Sequence, residues 1–273
     1  MTKVRLDVEM VNRGLCVSRE KARALILAGE VRVNGTRAEK AGQDVAEDAE
    51  IVVVQDAVPF VSRGGLKLDK AIRTFPIDLN GRTCADIGAS TGGFTDVMLK
   101  NGAAHVYSID VGYGQLDWSL RNDPRVTVME RTNARFMEPD WFSDPISFAS
   151  IDVSFISLRL ILPPLYQCLP EGGETVALIK PQFEAGRSEI GKNGVVRDAA
   201  VHERVISEIV SFSESIGFSV KGLSFSPITG PKGNVEFLLY IQKGCTKNDA
   251  ELHKITDSIP EIVKNAHLLG KLS

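Results

Sequence analysis

Apolar positions in the first fifty residues fall into two helical patterns and a hairpin. Leu6, Met10, Val11 and Leu15 recur at helical spacing. Ser18 then reads as an N-cap for a helix over 19–28 that Gly29 ends. Val31-Arg32-Val33, the turn Asn34-Gly35 and Thr36-Arg37-Ala38 follow as a hairpin, and 51–54 reads as a closing strand. From residue 63 the pattern changes. Short apolar runs at 83–87, 105–109, 126–129, 146–151, 175–179, 218–224 and 235–241 read as strands, with helical patterns between most of them. Such alternation predicts an α/β domain built on a mostly parallel sheet with helices on both faces. The last two strands have no helix between them and are joined through 226–231, which predicts an antiparallel edge hairpin. A terminal amphipathic helix is expected over 249–269. The expected organisation is a small α+β domain over 1–55, a linker over 56–62 around Pro59, and a large domain over 63–273.

Composition narrows the partners. The 273 residues carry a net charge of -3, so contact with nucleic acid depends on local basic patches rather than bulk attraction. Arg19, Lys21, Arg23, Arg32, Arg37 and Lys40 crowd the first module, either as a solvated face or as an RNA-contacting one. Cys16, Cys84, Cys168 and Cys245 are far apart with no C-x-x-C pair, which predicts a reduced, cytoplasmic protein without a disulfide framework. His105, His202, His253 and His267 are scattered, and no metal site is expected. The polar first residues do not form a signal peptide, and no apolar run is long enough to span a bilayer, so no membrane contact is expected.

The densest candidate chemistry is Ala85-Asp86-Ile87-Gly88-Ala89-Ser90-Thr91-Gly92-Gly93-Phe94-Thr95. An apolar strand ends in an acid and crosses a glycine-rich turn into a helix, as where a backbone passes close to a nucleoside cofactor. The order G-x-x-x-G-G departs from the dinucleotide fingerprint, and a carboxylate at Asp86 suits an ammonium better than a pyrophosphate. S-adenosylmethionine carries the ammonium and no phosphate, and is favoured over a dinucleotide. Gly88, Ser90, Gly92, Gly93 and Phe94 are assigned to its methionine end and Asp110 to its ribose. Asn133 is assigned to the adenine, with loop capping as the alternative.

Polar residues also fall where open α/β sheets bind ligands. Asp152 and Lys180 each follow an apolar strand, Glu236 sits in Asn234-Val235-Glu236-Phe237, and Lys67 lies at the entry of the large domain. An ordinary ion pair at the sheet rim is the plain alternative, although an ammonium directly after an apolar strand is costly unless paired. The charged, glycine-rich segment 184–194 is either a surface loop or a lid over RNA with Arg187 and Lys192 on phosphates.

Two resemblances bear on these patterns. The helix, Ser-Arg-x-x-Ala helix and Gly-x-Val-x-Val-Asn-Gly hairpin resemble the alpha-L RNA-binding domain of ribosomal-protein type. Lys67, Asp152, Lys180 and Glu236, with Asp86–Thr95, resemble the Lys-Asp-Lys-Glu site of FtsJ-like ribose 2'-O-methyltransferases. Together with the motifs beginning at Asp110, Asp152 and Lys180, the whole is similar to the TlyA, or haemolysin A-like, family of rRNA methyltransferases. The resemblance implies a Rossmann-like S-adenosylmethionine-dependent methyltransferase sheet beside the alpha-L domain. It also implies methylation of a cytidine ribose in ribosomal RNA, free or in a subunit, with Lys67, Asp152, Lys180 and Glu236 as catalytic residues and Lys180 at the 2'-oxygen. The rival readings are a membrane-active haemolysin and a catalytically silent RNA-binding protein.

Overall fold

The computed structural model describes residues 3–16, 18–53, 59–230, 232–244 and 249–272, and divides into two compact units, Met1–Pro59 and Phe60–Ser273. Val54, residues 56–58 of the expected linker and Cys245 lie outside the described residues. The boundary falls inside that linker. Phe60 and Val61 already pack on the core of the second unit, where the Val61 amide donates to Asp96 at 2.9 Å.

The first unit runs β1 (Lys3–Arg5), α1 (Leu6–Asn12), α2 (Arg19–Ala28), β2 (Val31–Val33), β3 (Thr36–Arg37), β4 (Asp44–Ala46) and β5 (Ile51–Val53). Ser18 caps α2 by accepting from the Lys21 amide, and Gly29 ends it at φ 77°. Asn34 and Gly35 both have positive φ, the demand of a two-residue hairpin turn between antiparallel β2 and β3. Leu6, Met10, Ala22, Ile26, Val31 and Ile51 meet in one small core.

The second unit is a seven-stranded sheet sandwiched by helices. In chain order its elements are α3 (Gly65–Thr74), β6 (Thr83–Ile87), α4 (Gly93–Lys100), β7 (His105–Ile109), α5 (Trp118–Arg121), β8 (Val126–Met129), β9 (Phe148–Ile151), α6 (Leu162–Cys168), β10 (Glu174–Ile179), α7 (Pro181–Glu184), α8 (Ala199–Ser215), β11 (Phe218–Phe225), β12 (Phe237–Lys243), α9 (Asp249–Asp257) and α10 (Ile259–Leu272). Strand order is β11-β12-β10-β9-β6-β7-β8. The pairs from β10 to β8 are parallel, and β12 and β11 close one side antiparallel.

The pleat sorts the side chains. Cys84, Val106, Phe148, Val176, Leu178 and Leu238 join α3, α4 and α5 on one face. Ala85, Ile87, Ile109, Ile151, Ile179 and Phe237 join α6, α8 and α10 on the other. The expected single helix over 249–269 is instead two, broken at Ser258. Pro260 has no N–H to continue a helix and is tolerated only in the first turn of the next one, and the Ser258 amide turns back to Ile255 at 3.2 Å.

Candidate functional site

Parallel strands bring all their carboxyl ends to one rim of the sheet. The chain passes from β6 to β7 on one side and from β8 back to β9 on the other, so β6 and β9 flank the point where the winding reverses. Open α/β sheets form their ligand crevice there. Asp110, Asp152 and Lys180 are the residues immediately after β7, β9 and β10. Glu236 immediately precedes β12, whose Phe237 pairs with Ile179, so antiparallel insertion of β12 returns a carboxylate to the rim beside Lys180. Asp110, Asp152, Lys180 and Glu236 continue the pleat phase that faces α3 and α4, and α3 supplies Lys67 from that same face.

These side chains form an alternating array. Lys67 Nζ lies 2.6 Å from Glu236 Oε2 and 3.1 Å from Asp152 Oδ2, and Lys180 Nζ lies 2.5 Å from Asp152 Oδ1. Glu236 is 2% exposed and both lysines 7%. Burial opposes a charge on Lys67, yet Asp152 and Glu236 outweigh it and hold the ammonium above its ordinary range. Burial also works against the Asp152 charge, and Lys180 and Lys67 outweigh it, so the carboxyl is held below the usual carboxylate range. The plain alternative of a simple rim ion pair therefore understates the arrangement: partly buried Asp152 joins three buried charges in one line of contacts.

Between β6 and α4 the glycine-rich turn has two left-handed glycines, Gly88 at φ 87° and Gly92 at φ 91°. The space at each is bounded by the protein's own atoms. A Cβ on Gly88 would come within 2.6 Å of the Asp152 carbonyl oxygen, and one on Gly92 within 2.3 Å of the Leu120 side chain. Gly88 thus lets the end of β9, with Asp152, close against the turn.

Three residues expected at the cofactor, Asp86, Gly93 and Phe94, are buried in the protein. Asp86 is fully buried, because its pleat phase points beneath α4. Its register partners Ser108 and Ser150 flank it on β7 and β9. Its carboxylate accepts from the Thr95 amide at 2.8 Å, the Thr95 hydroxyl at 2.7 Å and the Ser150 hydroxyl at 3.2 Å. Because Thr95 spends its proton on Asp86, Ser108 donates to Thr95 Oγ1 at 2.8 Å. Asp86 is a brace that fixes the first turn of α4, and desolvation pushes its carboxyl up to about 7 despite these donors. Phe94 is 4% exposed and packs into the core beneath the turn, and Gly93 is buried against Ser62 and Gly65.

Ser90 and Asp110 do face outward. Asp110 accepts from the Ser90 amide at 2.8 Å and the Gly112 amide at 2.7 Å, so β7 and the turn are tied together at the rim. An ionised carboxylate has about four acceptor positions, which leaves capacity for vicinal hydroxyls. Asn133 is exposed and caps a short 3-10 turn by accepting from the Arg135 amide at 3.1 Å, the alternative role foreseen for it. The turn 88–93 has no cationic side chain, and Asp110, tied to it through the Ser90 amide, is the acid it shares the rim with. That donor set suits a sulfonium or an ammonium and disfavours a phosphate.

Some residues at the rim escaped the sequence reading. Ser154 accepts from the Lys180 ammonium at 3.1 Å. Phe155 is 91% exposed with φ 63°, and its ring centroid lies 5.1 Å from Phe183, which itself lies 6.0 Å from Lys180 Nζ. A bulky residue held in the left-handed region and presented to solvent is strained for a purpose other than packing. The signal available was an aromatic residue four positions beyond a strand end.

Segment 184–194 carries two short 3-10 turns and is tethered. Glu184 accepts from Ser157 Oγ at 2.6 Å and the Leu158 amide at 2.7 Å, Glu189 pairs with Arg204 at 2.6 Å, and Asn234 donates to the Gly194 carbonyl at 3.0 Å. Arg187 and Lys192 are its exposed cations. In the first unit, Arg19 and Arg23 both reach Asp7, Lys21 lies on α2, and Arg32 and Arg37 are register partners across the hairpin.

Both units are similar to known proteins. Residues 60–243 match the FtsJ-like methyltransferase family and residues 4–51 the S4 domain. YqxC of Bacillus subtilis (strain 168) is 51% identical over 267 residues, 97% of this chain and 94% of its own. A 16S/23S rRNA (cytidine-2'-O)-methyltransferase, TlyA of Mycobacterium tuberculosis (strain ATCC 25618 / H37Rv), is 46% identical over 241 residues, 88% of this chain and 90% of its own. A solved, hemolysin-named chain from Streptococcus thermophilus is 49% identical, superposes with a TM-score of 0.78, and is covered over 98% of its length by 99% of this one.

Proposed function

The chain belongs to the FtsJ-like methyltransferase family and carries an S4 domain, and from that premise we propose that it methylates a cytidine 2'-hydroxyl of ribosomal RNA. The observation that carries the reading is the Glu236–Lys67–Asp152–Lys180 array at the winding reversal, beside a cation-free turn tied to Asp110 that suits a sulfonium donor. Among the described residues no helix is long and apolar enough to cross a membrane.

S-adenosylmethionine, when bound, supplies a methyl group already activated by its sulfonium. Asp110 would accept from its ribose hydroxyls, the 88–93 turn with Ser90 would border its methionine end, and residues near Asn133 would border its adenine. The chain must then align a poorly ionised hydroxyl with that methyl group and accommodate the charge that develops as the hydroxyl proton passes to solvent water. Alignment supplies as much as roughly 7–11 kcal/mol in favourable cases. Lys67 is held as a fixed cation and Asp152 as a fixed anion, so neither is suited to exchange a proton. Lys180, oriented by Asp152 and Ser154, is the group left to meet the 2'-oxygen and stabilise its charge. Glu236 anchors Lys67, which in turn fixes Asp152. The exposed Phe155 beside Phe183 offers an aromatic face for a base taken out of its stack. Arg187 and Lys192 would reach phosphates, as would the basic side chains of the S4 domain.

The test is transfer of labelled methyl groups to purified bacterial ribosomal subunits. We expect the label on a ribose, read as a linkage resistant to alkaline cleavage at one cytidine. Lys180→Ala should abolish transfer while calorimetry shows nearly unchanged cofactor affinity. Label on a base, or full turnover by Lys180→Ala, would refute the assignment.

A further inference from the structure

The first unit holds a buried charge that the reaction does not use. Asp7, the second residue of α1, is fully buried and gathers three arginines. Arg5 grips it with two parallel hydrogen bonds, Nε to Oδ1 and Nη2 to Oδ2, both 3.0 Å. Arg19 Nη2 and Arg23 Nε each reach Oδ2 at 3.2 Å from α2. The arginine side chains nevertheless stay 48%, 48% and 50% exposed.

This geometry is unlike a surface salt bridge. Arg19 and Arg23 are four residues apart on one helix, where like charges repel. One carboxylate offsets that repulsion and leaves a net excess of positive charge facing solvent. A guanidinium has five N–H donors in a rigid fork, and the contacts with Asp7 engage two from Arg5 and one each from Arg19 and Arg23. Burial of the carboxylate fixes where the remaining donors point.

We propose that Asp7 is the positioning residue of an RNA-backbone surface: it holds Arg5, Arg19 and Arg23 in one array whose outward N–H groups take phosphate oxygens of structured RNA. The inference rests on the reading of this unit as RNA-binding and adds to it a residue and a geometry. Structured RNA presents phosphates at fixed spacing, so a fixed array gains over a mobile one by having less to order on binding. A consequence runs against simple electrostatics. Removing a negative charge from a cationic surface should weaken binding to structured RNA.

The experiment uses the full chain and Asp7→Asn, with binding to purified ribosomal RNA and to unstructured poly(C) measured across a series of KCl concentrations. Ribosomal RNA affinity is expected to fall roughly ten- to hundredfold, the range for lost charge-assisted hydrogen bonds. Affinity for poly(C) should hold or rise, and the salt dependence for ribosomal RNA should become shallower. If net charge alone governs binding, the variant instead binds both RNAs as well or better, with a slope steeper by up to about 0.9 for the added charge. That outcome overturns the proposal. Hydrogen exchange of the α1 and α2 amides reports whether the variant unit is folded. If it is not, Arg5→Lys decides, because it keeps both charges but loses the fork. The same selective loss is expected, and unchanged selectivity overturns the proposal. Wild-type protein that binds no ribosomal RNA would instead overturn the RNA reading, and this inference with it.

Discussion

Lys67 is the hinge of the charged array, because its ammonium lies between two carboxylates while Lys180 meets only one. Replacing Lys67 by Met leaves Glu236, 2% exposed, without its cation. Breaking one side of a buried ion pair costs roughly 3–5 kcal/mol, more than most substitutions in this fold should cost. Lys67→Met is therefore expected to lower the unfolding temperature strongly and to abolish methyl transfer. Glu236→Gln, which keeps shape and leaves Lys67 paired with Asp152, should lose much less stability. Thermal scans of both variants check the ordering, and equal losses would show that Glu236 does not anchor Lys67. At this scale the sequence was informative about identity and poor on direction. Lys67, Asp152, Lys180 and Glu236 were legible because an ionisable residue beside an apolar strand needs a partner. The burial of Asp86 and Phe94 was not legible, because a strand's pattern does not say which pleat face a helix will cover. Ser154, Phe155 and Asp7 were missed because a hydroxyl, an exposed ring and a buried carboxylate become distinctive only once their neighbours are known.

The strand–turn–helix element from β6 to α4 ties the proposed cofactor crevice to the charged array. Gly88 sits at φ 87° with the Asp152 carbonyl where a Cβ would be. Gly88→Ala must adopt a left-handed conformation, at a cost of about 1–2 kcal/mol, and must also push Asp152 away. For a unit of this size about 1 kcal/mol corresponds to roughly 2–4 °C in unfolding temperature, so a drop of several degrees is expected. Methyl transfer should fall further than stability, since Asp152 orients both lysines. Parallel measurement of thermal unfolding and single-turnover rate checks this, and a variant with normal turnover would show that Asp152 need not be held against the turn. Elements were the most legible scale. The seven strands start and end within two residues of their expected positions, because short apolar runs bounded by turn residues are distinctive. The final helix was read as one because its amphipathic spacing crosses Pro260 almost in phase, while the proline's missing N–H decides the break.

Across the second unit, two buried groups make stability depend on pH in opposite senses. Desolvation pushes Asp86 up to about 7 from 3.8, so between those values the folded chain holds a proton that the unfolded chain releases. Its contribution is fully present below the unfolded value and is lost as pH rises towards 7. His202 behaves oppositely. Its Nε2 faces the Val196 carbonyl at 3.2 Å and must donate, so Nδ1 accepts from His267 Nε2 at 2.8 Å and the ring is neutral. Burial first, and then His267, push it down to about 4 from 6.5, so the unfolded chain binds the extra proton and stability rises with pH across that window. The two slopes overlap and offset each other between about 4 and 6.5. Asp86→Asn removes only the falling one. Asn can present its oxygen to Thr95 and its amide to Ser150, so the brace is kept without a titrating group. The variant should therefore gain on the wild type steadily from pH 4 to pH 7, with the gap constant above. Unfolding temperatures at pH 4.5, 6 and 7.5 measure that gap. A gap that is flat, or that narrows as pH rises, would mean that Asp86 is charged in the fold at every pH, with the brace built from a carboxylate whose burial Thr95 and Ser150 fully offset.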